Sequence, residues 1–160
     1  MVFWYQNTAQ VAREEISKMP NVLRISESAS LAIHAMTILA RHPDRRFSNA
    51  EMAGMLQASS NTLSKVMQRL VKAELVHTQS GPHGGFSLTR PSDSIQLVEI
   101  YNAIEGPFGK PECLIGSPAC DGTHCVLGGL VESIHKKVQE YFEKTTLSQI
   151  AKKVVIGEKS

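Results

Sequence analysis

Between residues 26 and 41 the apolar positions Ala29, Ile33, Met36, Ile38 and Leu39 recur at the intervals that gather side chains on one face of an α-helix. Ser26 stands where an N-cap belongs, because its hydroxyl can accept from a free amide of the first turn, and His42-Pro43-Asp44 ends the run. Ser48 and Glu51 have the S-x-x-E spacing of a capping box, which starts a short second helix reaching Leu56. A third helix begins after Ser59 or Ser60. In it Leu63, Val66, Met67, Leu70 and Val71 fall on one stripe, while Asn61, Thr62, Ser64, Lys65, Gln68, Arg69 and Lys72 face away.

The period then changes. Two short strand-like runs, 75–79 and 85–89, flank Ser80-Gly81-Pro82-His83-Gly84, and glycine and proline at that density mark a hairpin turn. A fourth helix covers about 97–105 and stops at Gly106-Pro107. Three helices followed by a hairpin is the order of a winged helix-turn-helix, so the expected fold class is mostly α (α+β) with a β-hairpin wing. From residue 126 onward Leu127, Leu130, Val131, Ile134, Val138, Tyr141 and Phe142 form a heptad-like seam, with Glu132, Lys136, Lys137 and Glu140 outside it. A lone helix with such a seam needs a partner, which predicts a long C-terminal dimerisation helix. A short last helix is expected over 146–155.

These patterns divide the chain into five parts. Residues 1–22 are an N-terminal extension to which no role is assigned, since Phe3, Trp4 and Tyr5 join no later pattern. Residues 23–92 form the winged helix-turn-helix, 93–112 a linking helix and turn, 113–125 a cysteine-rich loop, and 126–160 the dimerisation and C-terminal helices.

Composition changes this picture in two places. The net charge of the 160-residue chain is only +2, so affinity for nucleic acid has to come from local placement of charge. No apolar run approaches the roughly eighteen residues of a membrane span, and residues 1–20 lack the apolar core of a secretory signal. The expectation is therefore a cytoplasmic protein without a membrane partner. In that compartment thiols stay reduced, and a cysteine cluster suits metal or redox chemistry better than a disulfide framework.

Local charge does point to DNA. In a helix-turn-helix the second helix of the motif lies in the major groove with its N-terminal residues toward base edges. Ser59, Asn61, Thr62, Ser64 and Lys65 are small or polar, and Lys65 and Arg69 lie opposite the apolar stripe. Short hydroxyls and an amide near a helix start reach phosphates and bases without steric conflict. His83 and Gly84, at the narrow wing tip, suit a minor groove, and Arg24, ahead of the first helix, suits the backbone. A plainer explanation exists for each: a polar face opposite an apolar stripe is what any solvated helix shows, and some winged helices bind proteins instead. The hairpin directly after the third helix favours DNA.

The cysteines are the other chemical signal. Cys113, Cys120 and Cys125 lie in PECLIGSPACDGTHCVLGG, a segment with neither helical nor strand period. Three soft sulfur donors in such a segment suit a soft metal or an iron–sulfur centre with a fourth ligand from elsewhere. Zinc sites usually carry C-x2-C pairs, and none occurs here. Disulfide switching between Cys113 and Cys120 stays open. His124 beside Cys125 is badly placed to act as its base, and no orienting carboxylate is evident, so an enzyme is not expected.

The run LSKVMQRLVKAELVHTQSGPHGGFSLTRP followed by IYNAIEGP resembles the Rrf-type family of bacterial winged-helix regulators, which includes IscR-like and NsrR-like iron–sulfur regulators. The resemblance extends from about residue 23 to 155. It implies a homodimer with crossed long helices, double-stranded DNA bearing a pseudo-palindromic operator, and a 2Fe–2S or 4Fe–4S cluster on the three-cysteine loop. The chain also departs from the pattern. In IscR-like and NsrR-like members the cysteines are evenly spaced, whereas here six residues separate the first pair and four the second, with the outer span unchanged. The fourth ligand of IscR-like members is a histidine just after the last cysteine, where this chain has Gly128. In NsrR-like members it is an aspartate from the partner's first helix, where this chain has Ser30. His34, one turn after Ser30 on the same helix face, takes its place as the candidate ligand, with an ordinary interfacial histidine as the alternative. The combined expectation is a DNA-binding regulator, read as a repressor, controlled by an iron–sulfur cluster that senses redox state, nitric oxide or iron. The alternative is a cluster-free thiol-redox regulator or a protein-interaction module.

Overall fold

A computed structural model describes residues 25–81, 84–109 and 127–153. The described chain runs α1 (Glu27–Arg41), α2 (Asn49–Leu56), α3 (Ser60–Lys72), β1 (Val76–Gln79), β2 (Gly85–Leu88), α4 (Leu97–Glu105), α5 (Gly128–Lys144) and α6 (Leu147–Ala151), with a 3-10 turn at Ser92–Ser94. Helix, helix, helix, hairpin, helix is the predicted order, and the chain is a mostly helical winged helix with a small antiparallel wing.

Helix α1 is the centre of this unit. Ser26 caps it by accepting from the Ala29 amide at 3.0 Å, and Ala29, Ala32, Ala35, Met36, Thr37, Ile38 and Leu39 are all buried. The apolar pattern marked a narrower face, because it passed over polar Thr37 and two small alanines, Ala32 and Ala35, which weigh little in a periodicity. Their small size lets α3, α4 and α6 approach the same helix from several sides. Thr37 solves its own burial by donating to the Ile33 carbonyl at 2.7 Å. Met52, Leu63, Met67, Leu70, Ile95 and Ile100 complete the same core.

The wing pairs Val76 with Leu88 and Gln79 with Gly85 in antiparallel register. A third segment pairs with its second strand. Phe47, in the link between α1 and α2, exchanges backbone hydrogen bonds with Phe86 at 3.2 and 2.9 Å, and its ring is buried. Gly85 makes that approach possible. Its φ is +138°, and a Cβ there would stand 2.7 Å from the Phe47 carbonyl oxygen.

The C-terminal helix belongs to this unit as well. The Leu97 amide donates to the Thr145 carbonyl at 3.0 Å, and the Leu147 amide to the Ile95 carbonyl at 2.8 Å. Leu147 is fully buried. Ile25–Lys110 and Lys136–Ser160 make one compact unit, whose boundary falls within α5. In the second unit, 127–135 are the described residues. Burial along the seam is uneven. Leu127, Leu130 and Tyr141 are exposed, whereas Phe142 is buried with Tyr101 and Phe108 in an aromatic trio.

Candidate nucleic-acid interface

Helices α2 and α3 form the helix-turn-helix. Each helix start is capped by a serine. Ser48 accepts from the Glu51 amide while the Glu51 carboxylate accepts from the Ser48 amide, completing the predicted box. These bonds, with Arg45 nearby, hold the Glu51 carboxyl below its ordinary range. The turn passes through Gln57 in the left-handed region (φ +50°) and is closed by the Ala58 amide on the Ala53 carbonyl at 3.0 Å. Asn49 then ties the two helices together. Its Nδ2 donates to the carbonyl and to the hydroxyl oxygen of Ser60, at 2.9 and 2.7 Å, while its Oδ1 is buried without a partner. Nothing in the periodicity marked Asn49, because its partner sits across the turn.

This scaffold presents the predicted DNA face. Ser59 is the N-cap of α3, accepting from the Thr62 amide at 3.5 Å, so its hydroxyl serves the helix as well as any ligand. Asn61, Thr62 and Lys65 are exposed on the first turns, and Ser64 is half-buried beside them. Arg69 is engaged within the chain, its Nη1 donating to the Ile104 carbonyl at 3.1 Å. In the wing, Gly84 closes a turn onto the Gly81 carbonyl at 2.9 Å. His83 lies outside the described residues, as do Pro82 and Arg24. Two arginines flank the wing base without having been singled out. Arg45 lies over the Phe47 ring at 4.4 Å and pairs with Glu51 at 3.0 Å, while Arg46 reaches the Ser87 hydroxyl at 3.2 Å. The adjacent Arg45-Arg46 pair was the available signal.

Cys113, Cys120 and Cys125 also lie outside the described residues, and among the described residues no group of three or more metal-binding side chains comes together. The fourth candidate can be placed. His34 is exposed on α1, and its Nδ1 lies 2.7 Å from the Ser30 carbonyl oxygen. A carbonyl oxygen only accepts, so Nδ1 carries the proton and the neutral ring's lone pair is on Nε2. That is how a metal-binding histidine is commonly oriented, and three thiolates with one imidazole are a donor set that suits iron–sulfur chemistry. Ser30 and His34 line a cleft of about 350 Å³ together with Leu56, Gln57, Ser59 and Thr62. The candidate ligand and the start of the candidate recognition helix thus share one depression.

A capped helix-turn-helix with a hairpin wing and a polar recognition face defines a winged-helix transcription regulator. Residues 25–153 match the model of the Rrf2 family, described as iron-dependent transcriptional regulators, and the chain belongs to that family. An NsrR regulator of Oceanobacillus iheyensis is 28% identical over 127 residues, covering 74% of this chain and 86% of that protein. An IscR regulator of Sodalis glossinidius is 27% identical over 130 residues, covering 80% and 78%. Among solved structures, the global cysteine regulator CymR of B. subtilis is similar with a TM-score of 0.71 at 25% identity, covering 82% of this chain and 98% of that one. T. potens IscR shares the fold at 24% identity with a TM-score of 0.65, covering 81% and 87%. The family and these relatives are transcription regulators, not enzymes. Among the described residues no helix is long and apolar enough to cross a membrane.

Proposed function

We propose that the protein acts in the cytoplasm as a homodimeric repressor whose affinity for a pseudo-palindromic operator is set by an iron–sulfur cluster on Cys113, Cys120, Cys125 and His34. The observation that carries this reading is the cleft shared by His34 and the recognition helix, since a ligand held at His34 borders the Ser59 cap and Thr62. When bound, such a cluster supplies one-electron redox chemistry and reactivity toward nitric oxide. The chain's own part is positional. The Ser30 carbonyl fixes the His34 ring so that Nε2 faces outward as a donor, and α1 carries that position against α3 through the core. DNA contact falls to Arg24, Ser59, Asn61, Thr62, Ser64, Lys65 and the wing residues His83 and Gly84. Dimerisation rests on the bare apolar side chains of α5.

Anaerobic reconstitution with iron and sulfide tests the reading. The wild-type protein should take up iron, sulfide and visible absorption, and change its operator affinity on loading. His34→Ala should load less or lose its centre faster, by about 10-fold to 100-fold in metal affinity, if the imidazole is a ligand or orients one. A colourless, iron-free wild-type protein would sink the cluster. The second reading then takes over: the same cysteines acting as redox thiols without iron. The likeness to CymR, described as a global cysteine regulator, supports looking beyond a cluster. In that case oxidation of Cys113 and Cys120 to a disulfide alters operator binding, and Cys120→Ser abolishes the effect.

A further inference from the structure

The recognition helix is pinned at both ends, and the distal pin leads toward the cysteines. At its start Asn49 holds Ser60. Farther along, Arg69 crosses to α4 and donates to the Ile104 carbonyl. Ile104 lies in the last turn of α4, where carbonyls lack intrahelical donors and the helix dipole favours a cation. The adjacent Glu105 accepts from the hydroxyl of Ser26, the cap of α1. The chain then turns at Gly106, with φ +81°, and is held again by Phe108 stacked on Tyr101 at 4.1 Å. Directly beyond, in sequence, come Cys113 and the rest of the cysteine segment. The end of α4 is therefore a junction of the cap of α1, the recognition helix and the root of the cysteine segment.

We propose that Arg69 is a positioning residue and not a phosphate contact: it locks α3 to the end of α4, and through that bond the state of the cysteine segment reaches the DNA-reading face. The periodicity placed Arg69 among the DNA contacts because it lies opposite the apolar stripe, but its guanidinium is directed at a carbonyl of its own chain. A displacement of the α4 terminus moves the hydrogen-bond acceptor and, with it, the far end of α3. The Asn49 pin makes that movement a tilt about Ser60. This coupling rests on the proposed function, because it names the route by which the cluster would act.

Salt dependence separates the two roles. A phosphate contact releases counterions, and its removal flattens the dependence of log affinity on log salt by about 0.9 per contact. The probe is a duplex selected in vitro by the wild-type homodimer, titrated across a salt series with wild type, Lys65→Ala and Arg69→Met. Lys65→Ala should flatten the slope by about two per dimer, one contact being lost from each protomer. Arg69→Met should keep the wild-type slope, lose affinity by about tenfold at every salt concentration, and bring the affinity ratio before and after anaerobic cluster loading within about twofold of unity. An Arg69→Met slope as flat as that of Lys65→Ala overturns the proposal, and so does a wild-type loading ratio retained in the variant. Should wild type itself show no loading effect, the cluster reading fails by itself and the Arg69→Met slope still decides the positioning role. The slope reports on folded protein, and Arg69→Gln serves as a second neutral variant should Arg69→Met not fold.

Discussion

At Gly85 two constraints meet in one residue: a left-handed backbone and a carbonyl where a Cβ would go. Replacement by alanine imposes both penalties, so Gly85→Ala should destabilise the protein by about 1–3 kcal/mol. Equilibrium denaturation measures the loss. A change below about 0.5 kcal/mol would mean that Phe47 yields freely and that the wing base is loosely tied. The sequence placed this glycine at the start of the second strand-like run, but its reason for being glycine is Phe47, a residue remote in the chain. The same limit applies to Asn49 and Arg69. Each earns its role through a partner in another element, Ser60 or Ile104, and periodicity records only a residue's own face. Ser26 and Ser48 were readable in advance because a cap bonds within its own first turn.

Elements with strong local signals came out where the pattern put them. Helix α3 has five apolar residues on one stripe, and Leu63, Val66, Met67 and Leu70 are buried as that stripe requires. Helix α5 shows where the pattern is insufficient. Its seam reads as continuous, yet Phe142 turns into the core of its own protomer beside Tyr101, while Leu127, Leu130 and Tyr141 stay bare. A period cannot tell a partner's surface from the chain's own, since both remove apolar area from water. The remaining bare residues make a specific demand. If α5 pairs with a second copy, Leu130→Glu removes an apolar contact from each side, about 3 kcal/mol per dimer, or roughly a hundredfold in the dissociation constant. Sedimentation at micromolar concentration should find a dimer for wild type and a shift toward monomer for the variant. The melting of the winged unit should change little, because Leu130 lies outside it. A variant that remains as dimeric as wild type would remove α5 from the interface.

For the whole molecule the net charge of +2 separates two kinds of DNA recognition. A chain so nearly neutral cannot hold DNA by overall charge, so affinity depends on a few placed cations such as Lys65, and discrimination on the uncharged side chains beside them. Asn61 is the one amide exposed in the first turn of α3, at the end that enters the major groove in this fold class. An amide there can pair with an adenine edge, a contact of about 1–3 kcal/mol in discrimination. Asn61→Ala should therefore lower the ratio of operator to random-duplex affinity by about tenfold or more per half-site while leaving the salt slope of wild type unchanged. Lys65→Ala should do the reverse, flattening the slope for both duplexes and leaving their ratio nearly intact. Fluorescence anisotropy on the two duplexes across a salt series measures both quantities at once. If Asn61→Ala weakens both duplexes equally, α3 is not reading bases through its first turn, and sequence preference must arise at the wing or in DNA shape.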